Sequence, residues 1–195
     1  MKFRLVYEGP IPPRRRADVA QIHNIRMAFH PQIKALWRYP PLSGLTEWLS
    51  ELPPGIKNVA DYYIWERVND VLVSPLISKN NHLRCELDIT LLRQQPPGQL
   101  LGEGGDIDNR MKTLFDALRI PSKAEAQQAK IPKRADGDPI HCLLQDDNLV
   151  TRINVETDRL LRPANDEYDL VAIIQVTIVL TMVTYGTIGL LSRAQ

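Results

Sequence analysis

Cysteine is nearly absent: Cys85 and Cys142 are the only two in 195 residues. Two thiols cannot build a disulfide framework or a multi-thiolate metal site. The four histidines are scattered, and His141–Cys142 is an adjacent pair without the spacing of metal ligands, so zinc has no support. No long apolar run opens the chain. MKFRLVYEGP meets Glu8 and Pro10 first, so the expectation is a cytoplasmic protein without a secretory leader. No internal repeat is visible. An excess of either charge is also missing, with 24 basic against 23 acidic side chains and a net of +1. Nucleic-acid binders usually carry a basic excess, yet the cancellation here is regional. Residues 1–50 hold eight basic and three acidic groups, while every later stretch of fifty is mildly acidic. A basic head is set against a carboxylate-rich middle.

What is present suits a globular protein. With 44% hydrophobic and 24% charged residues the chain can bury a core, and its length fits one domain over 1–195. Residues 2–7 alternate as a strand that Glu8–Pro13 ends. From Asp18 to about Arg38, Ile22, Ile25, Phe29, Ile33 and Leu36 recur at helical spacing, with Pro31 expected to kink or divide the run. Leu45, Trp48, Leu49 and Leu52 suit a short helix, and 58–69 another. Val71–Ser78, a Lys-Asn-Asn turn and His82–Leu92 read as a hairpin. Met111, Leu114, Phe115 and Leu118 form one apolar stripe on a helix over 106–119. Residues 120–145 read as a polar, Lys-rich connection, and 149–157 as a strand.

Leu170–Leu191 carries no charge, long enough for a membrane helix. Twelve of its 22 residues are Val, Ile or Thr, however, and the flank is DEYD, so a closing strand over about 168–182 is the better reading. The remainder, 183–195, is expected to be a tail. These elements add up to an α+β fold in which a mixed or antiparallel sheet carries helices on one face.

The chemistry gathers at Asp106, Asp108, Asp146 and Asp147. Asp106 and Asp108 are two apart in an extended, Gly-preceded segment, so both can point one way. Asp108 also stands where a helix N-cap belongs. Lys112 follows four residues later, opposite the apolar stripe, with Asn109 and Asp116 on the same polar side. Clustered carboxylates are hard ligands suited to Mg²⁺ or Mn²⁺, and a helix N-terminus with a nearby lysine favours a phosphate. Mg²⁺-assisted phosphoester chemistry at Asp106, Asp108 and Asp147 follows. Plainer readings stand beside it: Asp108 as a cap, Asp106 as part of a Gly-Asp turn, Asp146–Asp147 as a solvated turn, Lys112 in a helical ion pair. An EF-hand is excluded, because the fifth and twelfth places from Asp106 are Arg110 and Ala117.

GDIDNRMKTLFDAL, followed downstream by QDDNLVTRINVE, resembles the RusA family of Holliday-junction resolvases. The matching pattern is a D-x-D-N-x-x-K…D-A-L helix and then a D-D-x-x-V strand. The likeness is strong over 82–119 and 146–157 and weaker over 2–13 and 168–181. It implies a RusA-like fold and a homodimeric, Mg²⁺-dependent endonuclease of branched DNA, of a kind often carried by prophages, with no organic cofactor. Asp106, Asp108 and Asp147 would correspond to the metal-binding carboxylates and Lys112 to the catalytic lysine. Asp146 and Asn109 would take supporting roles. The segments at about 37–69 and 120–145 are additions to the family pattern, and they bear on junction specificity more than on metal binding.

Candidates for DNA contact are Arg14, Arg15, Arg16, Arg110, Lys123, Lys130, Lys133 and Arg134, each with a solvated surface as the plainer reading. Trp37, Trp48 and Trp65 suit core packing better than stacking on bases. The other classes to weigh are a structure-selective DNA-binding protein that does not cut, a small-molecule phosphohydrolase with a closed pocket, and a membrane-tethered protein built on Leu170–Leu191.

Overall fold

The computed structural model describes residues 1–51, 63–94, 107–131, 137–163, 165–184 and 187–191. It is an α+β fold with two sheets where the sequence suggested one. The four-stranded sheet has the order β1 (Lys2–Pro10), β7 (Asp169–Leu180), β4 (Leu83–Arg93), β6 (Val150–Arg159). Its β1–β7 and β7–β4 pairs are antiparallel and its β4–β6 pair is parallel. The second sheet has the order β2 (Glu66–Val68), β3 (Val71–Ile77), β5 (Ile140–Leu144).

The uncharged C-terminal run resolves as β7, an interior strand. Leu170, Ala172, Ile174, Val176 and Ile178 are buried at every second position, a period that a helix could not use. No helix among the described residues is long and apolar enough to cross a membrane. Between the buried positions of β7, Gln175 joins a polar ladder across the outer face of the sheet. Arg4 donates to Gln175 at 3.1 Å, Gln175 donates to Asp88 at 3.2 Å, and Arg152 donates to Asp88 at 2.9 Å. One face is thus committed to the core and the other to water.

Helix α1 (Val19–Leu36) starts with a reciprocal cap. Asp18 accepts from the Gln21 backbone N–H at 2.7 Å, and the Gln21 side chain accepts from that of Asp18 at 3.0 Å. Of the two outcomes expected at Pro31, division does not occur: the helix runs through, with the proline ring exposed. A proline inside a helix costs about 3 kcal/mol, while burial of Phe29 and Ile33 returns roughly 1.5–3 kcal/mol each. Helix α2 (Ile107–Leu118) packs on α1, and together they cover the inner face of the large sheet.

Five other expectations need correction. The segments 71–78 and 82–92 are strands but not a hairpin, because they lie in different sheets. Buried Asn81 stands in for strand pairing there, accepting from the Ser78 and Leu83 N–H groups and donating to the Leu76 carbonyl. The helix expected over 58–69 ends as β2, which turns at Asn69 (φ 53°) and pairs with β3; residues 58–62 lie outside the described ones. In place of a helix from Leu45 there are two short 3-10 turns, Leu42–Gly44 and Thr46–Trp48. The 120–145 connection contains α3 (Lys123–Gln128) and the wholly buried β5. Of the expected tail, the last short helix, α4 (Ile188–Leu191), sets Leu190 into the main core.

Candidate functional site

Asp108 lies inside the first turn of α2, not before it. Its carboxylate accepts from Lys112 Nζ at 2.6 Å, one turn on, and both side chains are more than half exposed. Lys112 borders a cleft of about 440 Å³ that is also lined by Arg14, Asp116, Phe115, Asp147, Asn148, Val150 and Ile153. A second, more apolar hollow of about 380 Å³ continues past Lys112 and Phe115 to Asp108, Met111 and Val155. One flank of α2 and the start of β6 therefore face each other, and Lys112 and Asp147, far apart in sequence, share one cleft.

Asp146 and Asp147 occupy a tight turn that delivers the chain into β6. Asp146 caps the 3-10 turn Asp147–Leu149 by accepting from the Asn148 N–H at 3.0 Å. That bond holds its carboxyl below the usual range. Asp147 is moved the other way, first by desolvation and then by its hydrogen bond with Asp146 and that neighbour's charge. The supporting and metal-binding roles expected from the resemblance thus fall on two carboxylates with opposite perturbations, and the exposed Asp147 is the one turned to the cleft.

Arg14 reaches the site because the segment after β1 is strapped along α2. The Arg14 N–H donates to the Asn109 carbonyl at 2.9 Å, and Thr113 Oγ1 donates to the Pro12 carbonyl at 2.8 Å. Arg14 Nε then donates to Asp116 at 2.6 Å. Asp116 also binds Arg119, which forks onto Glu125. Asn109 thus positions Arg14 through its backbone.

The other candidate cations divide. Arg15, Lys123 and Lys130 are exposed. Arg16 pairs with Glu167 at 3.2 Å and donates to the Tyr168 hydroxyl. Arg110 is a correction. It is 2% exposed, donates to the Tyr168 and Glu167 carbonyls, and lies against the Tyr168 ring, so it staples the approach to β7 and offers nothing to a duplex. Desolvation, then Arg93 nearby, lowers its pKa. Trp37 and Trp48 are buried edge to face at 6.5 Å, and Trp65 packs on the same core.

Asp106, Lys133 and Arg134 lie outside the described residues. Among the described residues no group of three or more His, Cys, Asp or Glu is placed to hold a metal. The donors that are described, Asp108 and Asp147, are carboxylate oxygens, the ligand type of Mg²⁺ and Mn²⁺. The cleft lining of Phe115, Val150 and Ile153 carried no chemical signal in the sequence; Ile153 is exposed because no described strand pairs with the outer edge of β6. No protein-family model, curated protein or solved structure matches the chain.

Proposed function

We propose that this protein is a RusA-like, Mg²⁺-dependent endodeoxyribonuclease that cuts branched DNA, acting in the cytoplasm as a homodimer without an organic cofactor. The observation that carries this reading is the open cleft holding Lys112, Arg14 and Asp147 together, with Asp108 one helical turn from the lysine. Asp106, Asp108 and Asp147 would hold Mg²⁺, or Mn²⁺ in its place. When bound, such an ion supplies activation of water and neutralisation of phosphate charge.

The chain's own residues do the rest. Lys112 stabilises the negative charge that builds on the phosphoryl oxygens in the transition state. Its pairing with Asp108 is exposed and of the kind worth about 0.3–0.5 kcal/mol, so a phosphate can take the lysine over. Arg14, fixed by Asp116, holds the backbone in register. Asp146 keeps Asp147 in place by capping their shared turn. An open cleft suits a duplex better than a small phosphoester.

The test is cleavage of a synthetic four-way junction with Mg²⁺, comparing the wild type with Asp108→Asn, Lys112→Ala and Asp147→Asn. Equal activity in all four would sink the reading. The Asp108–Lys112 pair favours one other reading, in which each group neutralises its partner and the protein holds branched DNA without cutting it. Calorimetry separates the two: junction binding with no Mn²⁺ uptake selects the non-cutting protein.

A further inference from the structure

The two edges of the large sheet are finished differently. On β1 the Gln32 side chain of α1 acts as a substitute strand, accepting from the Val6 N–H at 2.9 Å and donating to the Val6 carbonyl at 2.7 Å. On β6, ten residues long and without proline, no described strand pairs with the outer edge, and Ile153 is 50% exposed. Long open edges template pairing with another chain, and proteins ordinarily block them.

The order of residues on β6 indicates what covers it. Outward from Asn154, Ile153 mirrors Val155, Arg152 mirrors Glu156, and Thr151 mirrors Thr157. We propose that β6 is a homodimerisation strand, on which a second copy of this chain pairs antiparallel about a two-fold axis at Asn154. Arg152 then meets the partner's Glu156, Ile153 meets the partner's Val155, and each pair occurs twice, as a two-fold interface requires.

The faces agree as well. Arg152 is held on the outer face by Glu86 and Asp88 at 3.0 and 2.9 Å, so its guanidinium is already presented there. Ile153 and Val155 lie on the opposite side with Met111 and Phe115 of α2. Ionic pairs therefore gather on one face of the joint and apolar pairs on the other, which fixes the register, because a slip of one residue would mix them. The joint places the two clefts beside each other, since Ile153 lines both the cleft and the seam.

This interface gives a location to the homodimer of the proposed function, but it rests on the chemistry of the strand. Its test reads mass and crosslinking instead of cleavage. In the full-length chain, Asn154→Cys sets a thiol opposite its own copy, whereas Thr151→Cys leaves the two thiols roughly 20 Å apart along the strands, beyond disulfide reach. The native Cys85 and Cys142 are buried and do not compete. The expected result is a dimer by sedimentation equilibrium, rapid oxidation of Asn154→Cys to a covalent dimer, and no such product from Thr151→Cys. Glu156→Arg, with an unchanged circular dichroism spectrum, should weaken the dimer about tenfold or more by opposing like charges twice. The proposal is overturned by a monomeric wild type at up to about 100 μM. It is equally overturned if Asn154→Cys crosslinks no faster than Thr151→Cys, or if Glu156→Arg dimerises as tightly as the wild type. A β6 dimer that cuts nothing would count against the nuclease alone, and a monomer that cuts would count against the interface alone.

Discussion

Asp108 and Asp116 stand two turns apart on the same helix, and their surroundings differ in kind. The Asp108 side chain is 64% exposed and tied to Lys112 across a single turn. That of Asp116 is 19% exposed and accepts from Arg14 and Arg119, and Arg119 in turn forks onto Glu125. Beneath this end Arg26 donates to the Asp116 and Arg119 carbonyls at 2.6 and 3.0 Å. Exposed ion pairs contribute little to folding and exchange partners readily, while buried ones are costly to break. One end of α2 is thus exposed and loosely paired, and at the other Asp116 is built into the fold beside the cleft.

The sharpest way to break that contrast is at the open end. Asp108→Asn and Lys112→Ala should each lower junction cleavage about 100-fold or more, the loss expected on removing a group that stabilises developing charge. Their urea midpoints should correspond to changes of no more than about 1 kcal/mol, since an exposed helical pair and a first-turn carboxylate are worth little more. Unfolding of either variant, with cleavage intact in the folded fraction, would move the pair from the site to the scaffold.

The closed end should behave in the opposite way. Glu125→Gln removes the carboxylate that receives both Arg119 nitrogens and the Ser122 N–H. A cost of about 2 kcal/mol is expected, as for hydrogen bonds to charged groups, with cleavage per folded molecule retained. Burial opposes the Glu125 charge, but Arg119 and Ser122 outweigh it and hold the carboxyl below its ordinary value. Stability from this group is therefore full above the unfolded carboxyl pKa and lost as pH falls through the folded one. Glu125→Gln should flatten that acid limb in urea titrations between neutral and acid pH. An unchanged limb would remove Arg119–Glu125 from the scaffold.

A smaller effect separates two arginines. Arg110→Met should destabilise by about 1–2 kcal/mol, the cost of losing bonds to buried carbonyls, and leave the salt dependence of junction binding unchanged. Arg15→Ala should leave stability unchanged and, if Arg15 meets a phosphate, lower the salt slope by about 0.9. A drop in slope for Arg110→Met instead would mean that the staple opens toward DNA.

Much of this was legible in the sequence for a physical reason. Periodicity reports burial, so α1, α2, β4 and β7 were visible in their apolar spacing. The turn before β6 was visible because Asp and Asn favour turns and an alternating run follows them. Arg110 misled because a charge on a helix reads as solvated. It shares a helical face with Leu114 and Ala117, both buried, and that spacing was the available signal. β5 was hidden in a polar stretch, although IHCLL is a short apolar run of the kind a strand buried on both faces requires. The division into two sheets was not visible at all. It depends on Asn81 satisfying backbone groups across the turn, and a side chain in that role has no periodicity.

The last effect lies beneath the closed end and shows only when the pH is changed. His23 of α1 stands beside Arg26, and burial, reinforced by the Arg26 charge, lowers its pKa from 6.5 to about 4. The folded protein therefore keeps this imidazole neutral where the unfolded chain would take up a proton. Its contribution is full above pH 6.5 and is lost as pH falls toward 4. His23→Gln removes a proton acceptor without adding a charge, so its urea midpoint should fall less than that of the wild type between pH 7.5 and 5. Asp108 and Lys112 stand apart from Arg26, and cleavage relative to wild type at each pH should not change. Equal losses of stability in the two proteins would mean that His23 is already charged in the fold. The closed end would then tolerate a second cation beside Arg26, and its contrast with the open end would narrow.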